Sequence, residues 1–122
     1  MDFTSGGTAG PRLDTAALAR LHLGTNIWGS LPGAAGAQHA AELFHRAGWR
    51  VRRSSWTEFE VENAYAELEL TPLQPVLVTG FVDPDRLTDL LAALRATGLS
   101  YRLEYEDPEG REHLHHSPDQ DA

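Results

Sequence analysis

Seven glutamates recur at alternate positions of strand-like stretches: Glu58, Glu60 and Glu62 in "TEFEVE", Glu67 and Glu69 in "AYAELEL", and Glu104 and Glu106 in "YRLEYED". Spacing of two throws each group onto one side of its strand, and Arg50, Arg52 and Arg102 fall on that same side. Carboxylates gathered this way can do three things. A close pair can act as acid and base if burial or a like charge raises one pKa. A broad field can steer a basic partner. Otherwise they keep one face of a sheet wet. Solvent-facing positions lack the desolvation that acid–base work needs, so catalysis is the weakest of the three. Seven glutamates against three arginines also exceed what a wet face requires, because like charges on neighbouring strands cost stability. A surface that docks a basic protein accounts for that excess, with Trp56, in the break "RRSSWTE", as an aromatic anchor if it is exposed.

Other chemistries find less support. His39, Glu42 and His45 recur every third residue of a predicted helix, too spread for one ion, and His113, His115 and His116 read as a His-rich tail. Gly29, Gly33 and Gly36 match neither the dinucleotide fingerprint nor the P-loop, and no lysine is present to reach a phosphate. Ser30 reads there as a helix cap. There is no cysteine, no G-x-S-x-G and no H-E-x-x-H, so no catalytic residue, metal or cofactor is assigned.

Charge narrows the partners further. Residues 1–53 hold six arginines against three acids, a balance of +3, whereas 54–122 hold four against fifteen, a balance of −11. That sign repels nucleic acid and anionic lipid. No run of apolar residues is long enough to span a bilayer, and the first residues lack a secretory pattern, so a cytoplasmic location is expected. All ten basic residues are arginine in an Ala-, Leu- and Gly-rich chain, the usage of a GC-rich bacterial genome.

The elements that must position these groups can be read from capping and periodicity. "LDTAALARLHLG" predicts a helix capped by Asp14, stapled by Leu13 and Leu18 and stopped at Gly24. In "TNIWGSLPG" Trp28 is expected to tuck inward. A second helix spans about 34–47, with Ala40, Leu43, Phe44 and Ala47 on one side. Next, "WRVRR" and "TEFEVE" predict a hairpin turning at Ser54-Ser55-Trp56, which aligns Val51 with Phe59, Arg50 with Glu60 and Arg52 with Glu58. Apolar parity then switches near Asn63, which demands a turn or bulge. "VLVTGFV" is apolar on both parities, as a central strand is. "DPDRLTDLLAALRATG" is a helix from the Asp83 cap to Gly98, with Leu87, Leu90, Leu91 and Leu94 as its stripe. "DPEG" is a type I turn, after which 111–114 can return as a last short strand.

The order α-α-β-β-β-β-α-β-(β) describes a single α+β domain over 13–116, between a flexible stretch 1–12 and a tail 117–122. It is a two-layer sandwich, mainly antiparallel, with helices on one face, and it approaches a ferredoxin-like arrangement if "NIWG" pairs as a strand. The expected function is a non-enzymatic acidic interaction domain that neutralises a basic partner, as bacterial immunity proteins and antitoxins do. The alternative is a small-molecule binder or small enzyme, with Tyr65, Tyr101, Tyr105, Trp28 and His22 lining a pocket between sheet and helices or at a dimer interface. A homodimer through a sheet edge is a further expectation, since no lysine guards an edge.

Overall fold

The computed structural model describes residues 2–118. Seven strands form one sheet: β1 (Ile27–Leu31), β2 (Arg50–Arg53), β3 (Phe59–Glu62), β4 (Ala66–Thr71), β5 (Val76–Val82), β6 (Arg102–Glu106) and β7 (Glu112–His116). Their order is β2-β3-β4-β5-β1-β6-β7, and every neighbouring pair is antiparallel. The "NIWG" segment does pair, as β1 between β5 and β6, so that β5 and β6 run parallel with a strand inserted between them. The neighbours β4-β5-β1-β6 follow the ferredoxin-like order, but β2 and β3 intervene between the second helix and β4, and β7 is added at the far edge.

Local chemistry explains most element ends. The side chain of Asn63 accepts from the Tyr65 and Ala66 amides at 3.0 and 2.9 Å, which turns the chain where apolar parity switches. Asp107 Oδ1 accepts from the Glu109 and Arg111 amides, and Gly110 has φ 83°, so "DPEG" reverses the chain into β7. Asp83 caps a 3-10 turn at Pro84–Arg86 that leads into α3 (Leu87–Thr97), which Gly98 ends at φ 77°.

Helices α2 (Ala37–Arg46) and α3 cover one face of the sheet, the inner face, in one core with Val51, Val61, Leu68, Val78, Ile27 and Leu103. Phe44 is fully buried edge-on to Trp49, and Leu90 and Leu94 are the deepest of the leucine stripe. Each fully buried leucine contributes about 1.5–3 kcal/mol. Among the described residues no helix is long and apolar enough to cross a membrane.

Several expectations are corrected. The β2–β3 register is Val51 opposite Val61, Arg52 opposite Glu60 and Arg50 opposite Glu62, two residues from the expected pairing. The cause is a longer turn: Ser55 Oγ accepts from the Thr57 and Glu58 amides, and the Ser54 amide donates to Glu58 O. A slip of two preserves which side each residue faces. Ser30 lies inside β1, and the cap of α2 falls at Gly36, with His39 Nδ1 accepting from the Ala35 amide. Trp28 points to the opposite, outer face and is 37 % exposed. Helix α1 (Thr15–Arg20) keeps its Asp14 cap, but Leu18 is 55 % exposed, so no staple forms. This helix lies on the outer face, where Leu13 and Ala17 pack on Phe81.

The stretch expected to be flexible at the start runs beside β2. Phe3 is buried against Phe59 and His45, the Thr8 amide donates to Val51 O, and the Arg53 amide donates to Thr4 O. Of the expected tail, residues 119–122 lie outside the described residues, while Ser117 is buried and bonded to Tyr101.

Candidate functional site

The outer face divides into unlike halves. Strands β3 and β4 carry Glu60 directly opposite Glu69 and Glu62 directly opposite Glu67, with Glu58 at the mouth of the β2–β3 turn. Two like-charged pairs therefore stand side by side. Arg52 answers one of the four with a two-pronged contact to Glu60, at 3.2 and 2.9 Å. That bond holds the guanidinium pKa above its usual value. Glu67 is pushed above the usual glutamate value by burial first and then by Glu60 and Glu62; Glu69 is pushed the same way by burial and by a hydrogen bond shared with Glu58.

Glu62 is not part of a free surface. Residues 12–14, leading into α1, pass over it, and it is 4 % exposed. Its Oε2 accepts from the Leu13 amide at 3.0 Å. Its Oε1 accepts no hydrogen bond and faces the guanidinium groups of Arg12 and Arg50 at 3.6 and 3.7 Å. Carboxylate oxygens of Glu60, Glu62 and Glu67 come within 4.8 Å of one another, a spacing that invites a cation. Arg12, Arg50 and Arg52 already supply that positive charge.

The other half is apolar at its centre, with Glu104, Glu106 and Glu112 exposed along β6 and β7. Trp28 stands between Thr79 and Glu104, Leu77 stands beside Ser30, and Leu114 at the rim is 56 % exposed. Helix α1 covers Phe81 but stops short of Leu77 and Trp28, leaving a shallow depression floored by those two side chains and bordered by Arg102 and Glu104. The glutamates expected to form one plate are thus split. Glu104 and Glu106 are on β6, separated from Glu69 by β5 and β1. Trp56 is 92 % exposed at the β2–β3 tip, its carbonyl held by Arg53 at 2.6 Å, and it adjoins Glu58 through Ser55. Sequence reasoning named Trp28 but turned it inward, and it missed Leu77. The available signal was "VLVTGFV" itself, whose apolar residues on both parities require some apolar cover on the outer face.

The residues of the alternative pocket do not converge. Tyr101 and Tyr105 are buried on the inner side of β6, Trp28 is on the outer side, and His22 is exposed after α1. A cleft between the α1–β1 loop and the β6–β7 turn, lined by Leu23, Asn26, Pro84 and Asp107, encloses about 150 Å³. That is below the usual ligand-pocket range of about 300–1,000 Å³, whereas the open depression over Trp28 and Leu77 holds about 330 Å³ and the hollow beside Trp56 about 470 Å³. Compared with protein-family models, curated proteins and solved structures, the chain has no match.

The raised carboxyls give a pH prediction. A group whose folded pKa lies above its unfolded value, here near 4.5, stabilises the fold below that value and loses the contribution as pH rises through the folded pKa. Glu69→Gln should therefore melt higher than the parent above the glutamate range, with the difference vanishing as both are taken down to pH 4. Melting temperatures that differ equally at every pH would show that Glu69 carries no repulsion.

Proposed function

We propose that the chain is a protein-binding module without catalytic activity, whose outer sheet face takes up a basic, amphipathic segment of a partner. The carrying observation is the division of that face. Cationic side chains of the partner meet Glu58, Glu60, Glu67 and Glu69, and its apolar side chains fill the depression over Trp28 and Leu77. Repulsion held in the facing glutamate pairs supports this reading, since a bound cation relieves it. Trp56, beside Glu58, extends the surface past the hairpin tip. An inhibitor that neutralises a basic enzyme, as immunity proteins and antitoxins do, is the kind of protein this describes.

The test is kinetic. The full chain is used to isolate a partner, and association and dissociation rates are then measured across ionic strength. Steered association should slow at least about tenfold between low and high salt. Glu58→Lys/Glu69→Lys should act mainly on the association rate, whereas Trp28→Ala should speed dissociation and weaken binding by about 2 kcal/mol. A partner whose rates ignore salt and both variants, or a chain that captures none, ends the proposal.

A further inference from the structure

One oxygen in the acidic half lacks a donor. Glu60 is held by both prongs of Arg52, and Glu62 Oε2 by the Leu13 amide, but among the described residues nothing donates a hydrogen bond to Glu62 Oε1. The Glu62 side chain is 6 % exposed, and the guanidinium nitrogens nearest Oε1 stand at 3.6 and 3.7 Å, beyond hydrogen-bond length. A buried carboxylate oxygen in that state is costly until a donor reaches it.

Glu67 is placed to supply the donor. The Asn63 amide donates to Ala66 O, and antiparallel ladders alternate, so Glu62 and Glu67 form the non-bonded kind of pair, whose side chains stand closest, with Cα atoms about 4.5 Å apart. Carboxylate oxygens of these two and of Glu60 lie within 4.8 Å of one another. With both ionised, the pair repels and Oε1 goes unserved. With Glu67 protonated, its O–H points at Oε1 and removes both costs. The surroundings favour that state. Burial comes first, then the negative charges of Glu60 and Glu62 on β3; Arg52 on β2 and Arg12 in the chain entering α1 oppose them. Arg50 reaches the pair through Glu62, and Asp14 spends its carboxylate on the Ala17 amide. Phe81, opposite Glu67 on β5, and the Leu13 and Ala17 that cover it bring no charge.

We infer that Glu62 and Glu67 are a proton-binding pair: a proton taken from solvent by Glu67 is held against Glu62 Oε1, and a cation reaching this half of the sheet displaces it back to solvent. The consequence for binding rests on the reading above, that this half receives basic side chains. A cation beside Glu67 favours the ionised form, so capture of a partner releases the proton. By linkage, falling pH weakens capture. Mild acid thus frees the partner while the fold stays intact, since the proton it adds relieves a repulsion inside the sheet.

Carboxyl-carbon NMR of the full chain, titrated from about pH 8 to about pH 3, tests the pair without a partner. Glu67 should titrate above the exposed Glu104 and Glu112, and the Glu62 carbon should shift at the Glu67 midpoint because it receives the hydrogen bond. In Glu67→Gln the amide donates at every pH, so the Glu62 carbon should lose that step; circular dichroism melts check that the variant folds. Displacement is read by calorimetry with hexa-arginine as the cationic probe at low salt. Heats that differ between buffers of unlike ionisation enthalpy should show protons released by the parent and fewer by Glu67→Gln. Lowering the pH from about 7.5 to about 5.5 should weaken the parent's binding at least about threefold, and the variant's less. A Glu62 carbon that ignores the Glu67 midpoint, or a Glu67 that titrates with Glu104, overturns the pair. Hexa-arginine that does not bind, or that releases as many protons from Glu67→Gln as from the parent, overturns displacement. If the pair titrates and releases its proton as expected while the chain captures no partner, the inference stands and the reading of function fails.

Discussion

Glu62→Ala should lower the unfolding free energy by about 3–5 kcal/mol, the usual loss when one member of a buried ion pair is removed. Three things fail together. The Leu13 amide loses its acceptor, so the chain entering α1 comes loose. Arg50, whose side chain is 13 % exposed, is left beside the edge strand without its carboxylate. Phe81 then loses the cover of Leu13 and Ala17. Glu62→Gln keeps an acceptor for Leu13 and should recover part of the loss. Denaturant unfolding of the three proteins measures this, and limited proteolysis should cut first near residues 10–14 in the alanine variant. If Glu62→Ala unfolds within 1 kcal/mol of the parent, the residue belongs to the solvent-facing glutamates after all.

Gly29→Ala should cost about 3 kcal/mol or more, the upper end for overpacking, and lower the melting temperature by roughly 10 °C. An added Cβ would lie 2.0 Å from Arg102 O and 2.8 Å from Leu103 Cδ2. A carbonyl of the adjacent strand cannot turn aside as a side chain can, so β1 and β6 must separate, and Trp28 moves with them. Gly80→Ala meets the same obstacle at Glu67 O, 2.2 Å away. Gly36→Ser is the control: its Cβ enters open space and its hydroxyl can cap α2, so stability should hold or rise. Equal melting temperatures for Gly29→Ala and the parent would refute the close approach of β1 and β6.

What was legible in the sequence is what neighbouring residues decide. Asp83, Pro84 and Gly98 frame α3 without outside help, Asn63 marks the reversal before β4, and "DPEG" marks the turn into β7. The alternation of Glu58, Glu60, Glu67 and Glu69 against Phe59, Val61, Leu68 and Leu70 survives even the slipped hairpin register, because parity alone sets it. The rest depends on partners distant in sequence. Trp28 faces outward because β1 is inserted between β5 and β6, which its own residues do not announce. Glu62 is separated from its fellow glutamates by an amide 49 positions away. The side of the sheet taken by α1 was decided by Phe81, and an outward-facing Phe in a central strand was the clue that something must cover it.

The strip Phe3–Thr8 has a consequence for self-association. By occupying the flank of β2 it acts as a terminator: growth in the direction of the hydrogen bonds cannot proceed from that side. A sheet built so is resistant to running on into a fibre, and trimming the first eight residues would remove that stop.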